Sequence, residues 1–502
     1  MNRRQFVAAS TAAGIAQILT VPSTGSAGQE VLDWGRDFGE KLARDSRLLG
    51  WSTPKSDRLD SIALEIEGNL PEGLRGVFRR NGPAAHSRHG HHYRHWFDGD
   101  GMIQEFRFSD AGLSHRGRMI ATPKIAREDA AGSRLFPGFA TPVEGMASVR
   151  GPDDMNAANI SVLEHHGELM ALWEGGSASV LERETLDWKH FKSWGSDLKG
   201  TPFTAHPKVE ADGTLWAFGY AMHPSPVLIL YHISGSGGLI KAAVIPERHL
   251  GMVHDFVITS RHLVLVIPPF EFDLGRGESF LDSHVWRPEL GSRALVVSKD
   301  DFDDRRWVQL PAGFGFHHGN GWEDSSGNIH FDHCISKDVS LVDDAFRHIM
   351  RGEFRHADAP RYTEYVLHAD GRVDIAESRE PAEFPQIAGR LVGLRNRFVY
   401  TLGPGEGLEW IPRTLDRRDH RTGFKESYDF GDGRVPEEHV FVPFPEGSSE
   451  DDGWLVGTFL AHSQGVSGVT VFDARRITDG PVMTAWLPYP IPLGFHGQFS
   501  ST

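Results

Sequence analysis

A mainly β chain with a radial arrangement is the fold class this sequence predicts, on three observations. Short runs of apolar and β-branched residues recur from about Ser61 to the end, and Gly, Asp, Asn and Pro turns separate them. Hairpin dipeptides such as Asp212-Gly213, Asp370-Gly371 and Asp452-Gly453 stand between several of these runs, which reads as strand, turn, strand. Four histidines, His206, His254, His317 and His496, lie in short segments that read as buried strand ends or tight turns, far apart in the chain. A closed or radial fold would bring them together.

In chain order, residues 1–27 read as an export signal. Asn2-Arg3-Arg4-Gln5-Phe6 precedes a mildly apolar run to Val21, and Gly25-Ser26-Ala27 offers a small-residue cleavage site. The paired arginines suggest the twin-arginine route to the periplasm, with Sec export as the alternative. Residues 28–60 form an N-terminal helical segment, patterned most clearly from Val31 to Leu49; a weaker helical pattern recurs from Val342 to Arg351. Residues 61–502 carry the strands, among them Glu168–Trp173, Leu263–Ile267, Ala294–Ser298 and Val469–Phe472. No later window offers the about 18 uninterrupted apolar residues of a spanning helix, so a soluble or peripheral protein is expected.

Composition narrows the function. With 39% hydrophobic and 24% charged residues the chain is globular, and 56 Gly and 29 Pro make it turn-rich. A net charge of -16 with no basic face argues against nucleic acid. Cys334 is the one cysteine, which excludes an intrachain disulfide and a thiolate-rich metal site; any metal would be held by His and carboxylates. The intervals between the four histidines, 48, 63 and 179 residues, fit one, one and about three blades of a β-propeller, whose inner strands can each offer one imidazole to the axis. His318 adjoins His317, and adjacent strand residues face opposite ways, so one of the two faces the axis. The run from His86 to His95 reads as a solvated loop, and Asp98 to Gly101 as a tight turn.

Several ordered motifs together resemble the carotenoid cleavage oxygenase family. They are Arg79-Arg80-Asn81-Gly82-Pro83, Trp96-Phe97-Asp98-Gly99-Asp100-Gly101-Met102, the four histidine segments, Glu383-Phe384-Pro385, and Phe441-Val442-Pro443 followed by Glu450-Asp451-Asp452-Gly453. The resemblance implies a seven-bladed β-propeller with a loop and helix cap over one face. It also implies Fe(2+) on the axis, one per chain, held by His206, His254, His317 and His496, and its spacing selects His317 over His318. Glu174, Glu383 and Glu438 are implied as the acceptors that orient these imidazoles.

The activity implied is O2-dependent cleavage of a C=C bond to two carbonyl products, with no catalytic side chain beyond the metal centre. Stilbene-cleaving members resemble this chain but carry a Lys where Trp173 stands, so a carotenoid or apocarotenoid substrate is expected, with a stilbene as the alternative. An isomerohydrolase and a non-catalytic lipid- or protein-binding propeller are further alternatives. Trp173, Phe136 and Phe270 are candidates for the substrate channel. Leu135–Phe139 and Pro268–Phe272 are candidates for a rim in peripheral contact with a membrane.

Overall fold

The computed structural model describes residues 27–222, 225–273, 275–405 and 407–501, with side chains from residue 34 onward. Residues 1–26 of the proposed export signal therefore lie outside the described residues.

Seven antiparallel sheets form the blades of a β-propeller. Their inner strands, in order around the ring, are His496–Ser501, Ser161–His165, Lys208–Val209, Val257–Ile258, Phe314–Gly315 with Gly321–Glu323, Glu383–Gln386 and Arg434–Pro443. Middle strands are apolar on both faces because neighbouring blades cover both. His262–Ile267 is buried from its second residue on, and Gly453–Ala461 throughout. Outermost strands face water and turn polar, as in Arg305–Leu310 and Val373–Pro381. The apolar clusters of the ring lie between adjacent blades; Leu263, Leu265 and Phe256 pack with Phe218, Leu228 and Leu230 of the blade before.

The ring closes twice. The C-terminal strand His496–Ser501 pairs with Gly76–Asn81 to complete the first blade, and Glu65–Gly68 pairs with Met483–Trp486 to complete the last. A propeller has a seam where its ends meet, and this one is stitched on both the axial and the outer side.

The cap over one face uses the helix Ala27–Leu42, the 3-10 turn Ser46–Trp51 and a helical stretch from Leu341 to Arg351. The first strand begins at Arg58, just inside the segment expected to be helical. A helix that the pattern did not announce, Pro123–Ala131, starts on Pro and ends at Gly132 in a left-handed conformation. The cap core gathers Trp51, Trp96, Val342, Phe346, Ile349 and Leu493 with Phe316 and Phe495, each the residue just before an axial histidine.

The run from His86 to His95 is a structural part of this cap and not the solvated loop its polarity suggested. His86, His92 and His95 are 0%, 3% and 0% exposed. His92 Nε2 donates to Met350 O and His95 Nε2 to Val342 O, both at 2.8 Å, so the run binds the helical stretch from Leu341 to Arg351 through two of its backbone carbonyls. The residues between them supply the short hairpin of Ser87–Arg88 and His91–His92.

The two rim candidates also pack inward. Phe136 is fully buried under the Arg127 guanidinium, and Phe270 is 2% exposed against Phe314 and His284. Among the described residues no helix is long and apolar enough to cross a membrane.

Candidate metal centre and substrate cavity

Each blade brings one ionisable side chain of the predicted set to the axis. His496 opens the inner strand of the first blade, Glu174 follows the second strand of the next, Glu168–Leu172, and His206 and His254 precede the inner strands of the third and fourth. His317 stands in the turn between the two inner pieces of the fifth. Glu383 opens the inner strand of the sixth, and Glu438 lies within that of the seventh.

One ring nitrogen from each of His206, His254, His317 and His496 lies within 4.8 Å of the others. Three rings are held by carboxylates. His254 Nδ1 donates to Glu174 Oε2 at 2.5 Å, His317 Nδ1 to Glu383 Oε2 at 2.5 Å, and His496 Nδ1 to Glu438 Oε1 at 2.9 Å. With Nδ1 protonated in this way, Nε2 carries the lone pair and points to the centre. The fourth is held differently: the His206 backbone N–H donates to Thr204 Oγ1 at 2.9 Å, and its ring stands against the other three imidazoles at centroid distances of 4.5 to 5.1 Å.

The arrangement fits a metal ion. The Nε2 atoms of His206 and His254 approach to 2.9 Å, and His317 Nε2 is buried with no hydrogen-bond partner. A converging set of lone pairs with no proton between some of them is costly in a dry site unless a cation accepts them. Burial pushes the His206 and His317 rings well below the ordinary histidine pKa, which keeps them neutral as ligands must be. His254 is raised: burial works against its charge, and the Glu174 carboxylate outweighs it. The donor set of four imidazoles suits a first-row divalent ion such as iron, copper or zinc.

The three carboxylates are held in turn. Tyr220 donates its hydroxyl to Glu174 Oε1 at 3.2 Å, and Gln386 Nε2 donates to Glu438 Oε1 at 2.8 Å. Glu383 Oε2 also accepts the Phe384 N–H at 2.5 Å, while its Oε1 is buried without a partner, and burial raises the Glu383 carboxyl to about 8. Phe384 adopts a φ of +53°, uncommon for an aromatic residue, and this lays its ring 5.0 Å from His317 and 5.4 Å from His496.

His318, in the same turn as His317, faces away from the axis. Its Nδ1 donates to Asp332 O at 2.8 Å and its ring stacks on His333 at 3.8 Å. Glu437 and Glu438, adjacent in sequence, sit in a β-bulge: Pro436 pairs with Phe459 and His439 with Gly457, so both glutamates stand opposite Thr458. Both are then buried, Glu438 on His496 and Glu437 on Arg80.

Between the axis and the cap lies a cavity of about 260 Å³, lined by His254, His317, His496 and the three axial glutamates, and by aromatic residues including Trp96, Phe139, Trp173, Phe316 and Phe384. Trp173 is on this wall as expected, with its ring against Gly175, where a Cβ would stand only 2.7 Å away. Phe136 and Phe270 are not on it. Lys124 is the one lysine or arginine on the wall among the described residues. Its ammonium donates to Asp100 Oδ1 at 2.6 Å, Tyr93 Oη at 3.0 Å and Glu128 Oε2 at 3.2 Å. Burial opposes that charge, but Asp100, Tyr93 and Glu128 together hold the lysine pKa above its ordinary value.

Sequence reasoning missed Lys124, Tyr220 and Gln386. Their signal is weak, since each is a single polar residue beside ordinary helix or strand pattern.

A sequence model of the retinal pigment epithelial membrane protein family matches residues 52–501. Curated relatives include an isoeugenol monooxygenase of Pseudomonas nitroreducens, 27% identical over 90% of this chain and 97% of its own length. A lignostilbene-alpha,beta-dioxygenase isozyme III of Sphingomonas paucimobilis is 28% identical over 91% and 97%. An apocarotenoid-15,15'-oxygenase of Synechocystis is 27% identical over 87% and 93%. Among solved structures, the cobalt-substituted Synechocystis apocarotenoid oxygenase superposes with a TM-score of 0.83 at 24% identity, covering 91% of this chain and 98% of that one.

Proposed function

This chain belongs to the retinal pigment epithelial membrane protein family, that of the carotenoid cleavage oxygenases, and from that premise we propose that it is a non-haem Fe(II) oxygenase. It cleaves one conjugated C=C bond of an apolar substrate with O2 and releases two carbonyl products. The observation that carries this reading is the four-imidazole, three-carboxylate cluster opening into an aromatic cavity. His206, His254, His317 and His496 would hold the ion, which when bound supplies activation of O2. Glu174, Glu383 and Glu438 fix the three rings they touch. The aromatic wall excludes water and presents the flat alkene, and the reaction asks no proton transfer of a side chain.

An apocarotenoid is the first substrate class, in line with the Synechocystis relative named for that chemistry. Ligand pockets usually run from about 300 to 1,000 Å³, so a cavity of about 260 Å³ favours a shortened polyene over a full-length carotenoid. A second reading has one specific observation behind it. The lignostilbene dioxygenase and the isoeugenol monooxygenase match this chain as fully as the apocarotenoid oxygenase does. A hydroxystilbene or a phenylpropene is the substrate class of that reading.

The test is metal analysis followed by O2 uptake with apocarotenals, hydroxystilbenes and isoeugenol. One iron per chain and O2-dependent carbonyl products are expected. Protein purified without stoichiometric metal, or turnover under strict anaerobiosis, overturns the reading. In the same assay, turnover of hydroxystilbenes or isoeugenol with none of apocarotenals selects the second reading, and the reverse pattern removes it.

A further inference from the structure

His206, His254 and His317 each stand in a blade built from continuous chain. His496 stands on the strand that closes the ring, so its position depends on how the seam is locked. The lock is a buried ion pair. Arg80 and Glu437, 4% and 6% exposed, meet through Arg80 Nη2 and Glu437 Oε1. The same Nη2 donates to Pro492 O at 2.5 Å. Glu437 Oε1 accepts the Gly494 N–H at 2.6 Å, and its Oε2 accepts the Thr458 hydroxyl at 2.7 Å. A Cβ on Gly494 would stand 2.5 Å from the Arg80 guanidinium carbon, so the glycine is what lets the chain pass this close.

The pair thus ties three pieces together: Gly76–Asn81 of the first blade, Arg434–Pro443 of the last, and the segment leading into the closing strand. The bulge at Glu437 and Glu438 makes the arrangement a bracket. Glu437 takes the backbone N–H of Gly494 and Glu438 that of Gly497 at 2.8 Å, so one carboxylate holds the chain on each side of His496. Desolvation offsets much of the attraction in an ion pair this deeply buried, so its net contribution to stability is small, while removal of one partner leaves an unpaired buried charge.

We propose that Arg80 and Glu437 are a positioning pair for His496. They lock the closing strand in the one register that delivers the imidazole to the centre, and thereby couple metal uptake to closure of the ring. The inference rests on the reading that the four histidines hold a metal ion.

Its test is Co(II) titration of the metal-free full-length protein, followed by the visible spectrum of the bound ion, for wild type, Glu437→Gln, His496→Ala and the double variant. Circular dichroism verifies the fold of each. Glu437→Gln should bind Co(II) at least tenfold more weakly, with a spectrum shifted towards that of His496→Ala. In the His496→Ala background the same substitution should have no further effect, because the side chain it positions is gone. A merely structural role would weaken both backgrounds equally. Binding by Glu437→Gln within twofold of wild type, or an equal loss in both backgrounds, overturns the proposal. Should Glu437→Gln fail to fold, Thr458→Val, which removes one of the hydrogen bonds that hold the carboxylate, runs the same cycle with the same two criteria and a smaller expected loss. Wild type that takes up no cobalt would instead overturn the metal centre itself.

Discussion

Two histidine-rich regions of this molecule solve opposite problems. The run from His86 to His95 packs five histidines into ten residues, yet two of its buried rings, His92 and His95, donate to backbone carbonyls of the helical stretch from Leu341 to Arg351 and serve the cap. The axial four are scattered over nearly 300 residues, and three of them donate to carboxylates. A carbonyl acceptor fixes a neutral ring in a packed wall. A carboxylate acceptor fixes the tautomer and also raises the basicity of the far nitrogen, which is what a ligand needs. Density along the chain is therefore a poor guide to metal chemistry, and the convergence of ring nitrogens on one point is a good one.

The comparison breaks most sharply on substitution. His254→Ala should leave the purified protein with well under one metal ion per chain by elemental analysis, three imidazoles holding it more weakly than four, while His95→Ala keeps the metal and costs about 3 kcal/mol in urea unfolding through the void and the lost hydrogen bond to Val342 O. His318→Ala should behave like His95→Ala and not like His254→Ala. Loss of metal from either control would erase the distinction drawn here.

A smaller effect is expected one layer out. Glu174→Gln keeps the size of the side chain but loses its charge, and should weaken metal binding by about 10- to 100-fold in competition with a chelator. An affinity equal to wild type would mean that the carboxylates orient nothing.

The mildest test uses pH. Burial lowers His86 and His95 to about 3 and His92 to about 4, against about 6.5 in an unfolded chain. The unfolded state then binds more protons below pH 6.5, so the stability tied to these rings is intact above that pH and falls as pH drops towards 3 to 4. By pH 5 each ring costs about 2 kcal/mol. Urea midpoints at pH 7 and pH 5 should show the fall, and His95→Gln should make it shallower; an unchanged slope would mean that His95 is not held neutral by burial.

Much of this was legible in the sequence. The strands read as apolar runs because both faces of a middle strand are covered, and the histidine intervals matched the blade count between them: one, one, then three. What stayed hidden depended on contacts between distant segments. No local pattern separates a buried His95 from a solvated one, because the carbonyl that receives its proton lies 247 residues away. The helix Pro123–Ala131 buries Lys124 and Glu128, which periodicity reads as a surface face. Phe136 and Phe270 sat in segments suited equally to a channel, a rim or a core, and packing chose the core.

The one-per-blade rule at the axis has a consequence for how this chain tolerates change. Seven side chains arrive from seven independently registered strands or turns, so lengthening an outer strand or loop leaves the centre untouched. A slip of one residue in an inner strand turns its side chains to the opposite face and deletes one member of the seven at a stroke. The tolerance to insertion should therefore fall steeply from the rim of the disc to its hub, whatever the composition of the inserted residues.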